Sequence, residues 1–241
     1  MEYAILVTIA IVGKTNVGKT TLFNAATLLN AEISSRAFTT TEANVGTAYV
    51  CDICACRELG LKDNPLNSAC IEGWRYAPIR ILDLPGLIKD AWVGRGLGNR
   101  FLSLVGQADA LMHVVDASGS IDAEGRIAQP GSGNPVQDVL DIEMEIERWI
   151  TEIIIHNKQP IIRAAAELPL EEAMSRTLSG IKARAPQLAQ ALETSGLDDI
   201  SFANWSLEQT LKFAKALLPI VKPTLIIANK IDLHAAEDNL E

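Results

Sequence analysis

Residues 11–24 read IVGKTNVGKTTLFN. An apolar run enters the stretch, Gly13 and Gly18 bracket four residues, and Lys19, Thr20 and Thr21 follow. The spacing Gly13-x4-Gly18-Lys19-Thr20 is that of a phosphate-binding P-loop. A phosphate chain needs several N–H donors converging on it. Glycine lets the backbone wrap that closely because it has no Cβ. The helix that starts near Gly18 adds its unpaired N–H groups and the positive end of its dipole. Gly13, Lys14, Asn16, Val17, Gly18, Lys19, Thr20 and Thr21 are therefore assigned to nucleotide binding. Lys19 would reach the β- and γ-phosphates, and the Thr20 hydroxyl would sit on Mg2+.

Around this loop the chain alternates strand and helix patterns. Apolar segments at 3–12, 45–51, 77–83, 109–116 and 224–228 read as strands, with helical patterns at about 18–30 and 98–106. Such alternation predicts a P-loop α/β fold with a mostly parallel, doubly wound sheet. It breaks after Asp116, where residues 117–135 are rich in Gly, Pro, Ser and Asp. A long helical pattern follows, with Val139, Ile142, Ile146, Trp149 and Ile153 as its apolar seam. Asp138, Asp141, Glu145 and Glu152 lie off that seam and read as a solvated face. Further helices are expected in 170–185 and after an N-cap at Ser206. The expected organisation is a G domain over 1–134, a helical insertion over 135–220, and the G domain again over 221–241.

The bulk composition narrows the function classes. The 241 residues are 48% hydrophobic and 21% charged, which is a globular composition. The net charge of −9 argues against DNA or RNA binding through a broad basic face. The N-terminal apolar run carries Glu2 in place of a basic region and leads straight into the P-loop. It reads as a buried strand, so no membrane anchor is expected and the compartment is taken as cytoplasmic. The four cysteines, Cys51, Cys54, Cys56 and Cys70, lie within twenty residues. Their spacing lacks a second close pair and is poor for zinc, so they read as reduced, non-ligating thiols, with metal binding and redox roles as alternatives.

Two further boxes narrow the nucleotide. ILDLPG puts Asp83 and Gly86 at a strand end, the Asp-x-x-Gly of a switch. Asp83 would hold Mg2+ through water, and the Gly86 N–H would touch the γ-phosphate and lose that contact on hydrolysis. LIIANKID ends another strand with Asn229, Lys230 and Asp232. Guanine offers two adjacent donors, N1–H and N2–H2, to one carboxylate, whereas adenine presents an acceptor and a C–H. Asp232 would therefore select guanine, with Lys230 along the base and Asn229 tying this loop to the P-loop. Between the P-loop and Asp83, Thr39, Thr40 and Thr41 are candidates for the threonine that reaches Mg2+ and the γ-phosphate.

Taken together, GKTNVGKTTLFNAAT, AFTTTEANVGTAYV, CRELG, ILDLPGLI, GRGLGNRFL, ALMHVVDASG and ANKID resemble the Obg-related GTPases, in the archaeal form of their YchF-type branch. The resemblance implies a ribosome-associated nucleotide hydrolase of the translation-factor class. It selects Thr40 as the magnesium threonine and implies catalysis resting on Lys19, Thr40 and Gly86. It also implies a potassium ion at Asn16, with simple stabilisation of the loop as the alternative. Leu87 stands where small GTPases carry a water-orienting glutamine, and Trp92 and Val93 stand where the family usually has a histidine and an acid. Neither Leu87 nor Trp92 can act as a base at neutral pH, so intrinsic GTP hydrolysis is expected to be slow. The family continues beyond the guanine box with a further G-box and a TGS domain, so the chain is expected to be a fragment or a truncated product. Alternatives are an ATP-preferring Obg-like ATPase and a nucleotide-sensing scaffold with negligible hydrolysis.

Overall fold

A computed structural model describes residues 6–29, 31, 43–86 and 98–239. Thr39, Thr40, Thr41, Leu87, Trp92 and Val93 lie outside the described residues.

Six strands form one sheet: β1 (Thr8–Val12), β2 (Asn44–Ile53), β3 (Ala69–Ile71), β4 (Trp74–Asp83), β5 (Ala110–Asp116) and β6 (Thr224–Asn229). The order is β2-β4-β1-β5-β6, with β3 paired to β4. β1 pairs in parallel with β4 and β5, and β5 with β6, giving a central parallel core. β2 runs antiparallel to β4 over ten residue pairs, from Asn44↔Asp83 to Ile53↔Trp74, and β3 is also antiparallel to β4. One side of the sheet is thus an antiparallel ribbon that the strand–helix alternation did not reveal.

Successive side chains of β1 point to opposite faces, and each face has its own core. Ala10 and Val12 join Leu82, Leu84 and Leu111 in a cluster with α3 (Gly98–Gln107) and the later helices. Ile11, Ile81 and Val114 face the other way, against Phe23 of α1 (Lys19–Thr27), Val17 and Ile121. Helices therefore cover both faces.

Near the far end of the ribbon lies α2 (Ala55–Leu59). Between β5 and β6 the chain forms α4 (Pro135–His156), α5 (Lys158–Ala164), α6 (Leu170–Thr177), α7 (Ala185–Ser195) and α8 (Leu207–Val221). Their apolar faces share one continuous core with the sheet, running from Ala10 to Phe213. Ser206 caps α8: its hydroxyl accepts from the Gln209 N–H, and the Gln209 side chain accepts from the Ser206 N–H. After α8, Lys222 is fully buried and donates to the carbonyls of Gly106 and Ala108 at the end of α3.

The helix α4 departs from the expected solvated acidic face. Its buried positions include Ile142, Ile146, Ile150 and Ile154, but also Asp138 and Glu145. Asp138 is drawn in by the ammonium of Lys14, 2.5 Å away. Glu145 is buried and also has an interaction partner. A carboxylate so placed follows its partner and not the helical period.

Candidate nucleotide site

The site lies at the C-terminal ends of β1, β4, β5 and β6, where open parallel sheets place their ligands. β1 ends at Val12 and the chain turns at once. Gly13 adopts φ +147, and a Cβ there would lie 2.4 Å from the Val114 carbonyl oxygen. Gly18 adopts φ +101, and a Cβ there would lie 2.2 Å from the side-chain nitrogen of Asn229. Neither position has room for a side chain. α1 then starts at Lys19 with no side-chain cap on its N-terminus, leaving first-turn N–H groups for a ligand.

Lys19 is buried, and its ammonium donates to the Lys14 carbonyl at 2.6 Å. Burial pulls its pKa down from 10.5 to about 8, with Asp83 opposing the shift. An ammonium held in this way gains from any anion placed beside it. The Lys14 side chain turns away to Asp138, so this lysine presents only its backbone to the loop. Thr21 is exposed on α1.

Thr20 and Asp83 meet. The Thr20 hydroxyl donates to Asp83 Oδ2 at 2.7 Å, and the Asn44 amide donates to the same oxygen at 3.0 Å. Asp83 is fully buried, and its Oδ1 has no hydrogen-bond partner. Since its proton goes to Asp83, the Thr20 hydroxyl keeps its lone pairs free. A buried carboxylate oxygen without a partner beside a free hydroxyl oxygen is an all-oxygen donor set, and it fits a hard cation such as Mg2+.

Gly86 packs on the P-loop: a Cβ on it would lie 2.5 Å from Thr15 Oγ1. Thr15 Oγ1 is itself buried and without a partner. Gly125 approaches Thr15 from the loop after β5, and the Asn16 amide donates to the Gly125 carbonyl at 2.9 Å.

The guanine box closes the ring of loops. The Asn229 amide donates to the Val17 carbonyl at 2.8 Å. Lys230, in the left-handed region at φ 59, donates to Asp116 Oδ2 at 2.9 Å and to Ser120 Oγ at 3.1 Å. Asp232 is exposed on the turn that follows. The Asp116 carboxylate also accepts from the backbone and hydroxyl groups of Ser118 and Ser120. Burial pushes its pKa up, but the hydrogen bonds from Ser118, Ser120 and Lys230 outweigh that and hold it below the usual carboxylate range. Direct contacts thus join the P-loop to β4 and to the guanine box.

Residues 8–166 match the 50S ribosome-binding GTPase family. The chain belongs to this family. Its relatives include a GTP-binding protein of Methanocaldococcus jannaschii, 43% identical over 97% of this chain and 58% of that protein. The ribosome-binding ATPase YchF of Bacillus subtilis is 32% identical over 95% of this chain and 58% of its own length. A crystal structure of a GTP-binding protein from Pyrococcus horikoshii superposes with a TM-score of 0.74 at 32% identity, over 93% of this chain and 57% of that one. The chain therefore spans less than two thirds of the length of these relatives. Within this P-loop GTPase, sequence reasoning passed over Thr15, Asn44 and Asp116. Asp116 carried a signal, because an Asp followed by Ser118 and Ser120 marks a side-chain-capped turn. Asn44 carried none, since its contact depends on strand register.

Proposed function

We propose that this chain binds GTP with Mg2+ and hydrolyses it slowly, as the nucleotide switch of a translation-associated protein. The observation that carries the reading is the Asn229–Val17 hydrogen bond. It fixes the loop that carries Asp232 against the loop that carries Lys19, so base and phosphates would be read by one rigid unit.

In this reading the P-loop backbone and Lys19 hold the phosphates. Thr20 and Asp83 would hold Mg2+, with Thr40 added from the segment outside the described residues. Held there, Mg2+ would supply positive charge to offset the charge that develops on the phosphates. Asp232 would accept both guanine donors, and Lys230, fixed by Asp116, would lie along the base. Gly86 and Thr15 sit together where a terminal phosphate would be sensed, and that phosphate or its attacking water would satisfy the orphaned Thr15 hydroxyl. Asn16 has its amide N–H on Gly125, and its Oδ1 is the atom a potassium ion would take.

Hydrolysis rests on positioning and charge, with Leu87 unable to orient water, so turnover is slow without a partner. The similarity to a ribosome-binding relative supports a ribosomal partner. The decisive experiment is competition between GTP and ATP on this chain, repeated with Asp232→Ala, followed by single-turnover hydrolysis in potassium and in sodium. GTP should win by tenfold or more, Asp232→Ala should erase that margin, and hydrolysis should stay near the unassisted rate of Ras-like switches, on the order of 10⁻⁴ s⁻¹. Equal affinity for ATP would refute guanine selection. Fast turnover without a partner would refute the slow switch, and equal rates in the two salts would remove the potassium ion.

A further inference from the structure

The excursion between β2 and β4 has an inverted interior. From Ile53 to Gly73 the one buried residue is Cys54. Leu59, Leu61 and Leu66 are exposed, and α2 buries nothing. Cys56, Asp63 and Cys70 are partly covered. Apolar residues normally fill the inside of such a unit. Here thiols and a carboxylate occupy it, and a segment of this size without a core needs another tie.

The thiols converge. The Sγ atoms of Cys54, Cys56 and Cys70 lie within 4.8 Å of one another, the one such group of possible metal ligands among the described residues. Cys56 and Cys70 are 3.5 Å apart, and Cys54 lies 3.2 Å from Asp63 Oδ2. Around a tetrahedral zinc with Zn–S near 2.3 Å, sulfur atoms stand about 3.8 Å apart. The three sulfur atoms therefore need only small adjustments, and Asp63, beside Cys54, would swing in as the fourth ligand. The sequence offered no second close cysteine pair, but the β3–β4 hairpin supplies it by bringing Cys70 back to Cys56. Cys51 lies on β2 opposite Tyr76, is exposed and stays outside the group.

An outer layer is already in place. Arg75 donates to Cys54 Sγ at 3.3 Å and to Ser68 Oγ at 2.8 Å, and it also pairs with Asp63. Metal ligands are commonly held by such neighbours, and the guanidinium offsets the negative charge of the ligand set. We propose that Cys54, Cys56, Cys70 and Asp63 form a structural zinc site that staples the tip of the β2–β4 ribbon.

The site is remote from the nucleotide. Trp74 and Asp83 close opposite ends of β4, about 30 Å apart at some 3.3 Å per residue. Loss of zinc should therefore leave nucleotide binding intact, which separates this idea from the GTPase reading.

The test adds zinc to the reduced chain, removes loose metal with a weak chelator and measures the metal that stays. One zinc per chain is expected, and a thiol reagent should then modify Cys51 far faster than the other three. Cobalt in its place should give thiolate charge-transfer and tetrahedral d–d bands. Cys56→Ser and Cys70→Ser should lose the retained zinc, Asp63→Asn should weaken affinity about tenfold or more, and Cys51→Ser should keep it. Far-UV circular dichroism and a cooperative urea transition serve as the check of folding in every variant. A folded, fully reduced chain that retains no zinc, or four thiols reacting alike in its presence, would overturn the proposal. So would a Cys56–Cys70 disulfide as the stable form of the native protein.

Discussion

Lys19 shows how much one residue can determine. Its ammonium is stored on a P-loop carbonyl in a buried place, with a pKa near 8. A bound phosphate chain would raise that value, so above pH 8 the free protein must take up a proton to bind. The sign follows: affinity is flat below pH 8, and Kd rises by up to tenfold per unit above it. Titration of GTP binding from pH 7 to pH 9 reads this directly. A flat profile would mean that Lys19 does not meet the phosphates. At this scale the site was largely legible. Gly13, Gly18, Lys19, Thr20, Asp83 and Asn229 declare themselves by spacing, because a phosphate loop has few solutions. Thr15 and Asn44 did not, because their positions follow from the packing of Gly86 and from the β2–β4 register.

At the scale of elements, the contact between the P-loop and α4 is the informative case. Lys14 and Asp138 are about nine-tenths buried at 2.5 Å. Burial nevertheless pushes the Asp138 carboxyl up, with Lys14 pulling the other way and Asp141 and Asp116 adding to the rise, so the pair does not fully offset the cost of its surroundings. Such a pair adds little net stability, yet breaking it strands a buried charge. Asp138→Ala should therefore destabilise the chain by about 3–5 kcal/mol, whereas Lys14→Met combined with Asp138→Leu should recover most of the loss. Urea unfolding of the nucleotide-free proteins measures both. The amphipathic rule misread Asp138 because a helix period reports average exposure, and a lysine from a distant loop overrides it. The same limit hid β3 and α2. Residues 54–71 have neither a period of two nor one of 3.6, since their interior is made of thiols and polar groups.

At the scale of the whole molecule, acid sensitivity has an identifiable source. His113 lies on β5, 1% exposed, and lines a cavity of about 310 Å³ with Glu143, Glu147, Lys215 and Lys222. Burial, helped by Lys19, pulls its pKa from 6.5 to about 4. The folded state therefore binds fewer protons than the unfolded chain between those values. Stability is full above pH 6.5 and falls as the pH drops toward 4, by up to about 3 kcal/mol. Burial raises the carboxyl pKa of Glu147, which returns part of that loss as it protonates. Unfolding free energies at pH 7.5 and pH 5 should differ in the parent and much less in His113→Leu. An equal drop in both would clear His113. The sheet that holds it was readable from the sequence as alternating segments, and only the ribbon side was not, because strand direction leaves no trace in apolar pattern.

The ribbon itself is a lever. Asn44, which opens β2, holds the carboxylate proposed for the metal, and ten paired residues run from there to the cysteine tip. Pairing with β1 ends at Arg80, and from there the arm runs about 20 Å to Trp74, so that a tilt of about 10° would sweep its tip through about 3 Å. A small turn of the ribbon would thus be felt most at the cysteine tip and least at Asp83, which β1 holds in the sheet.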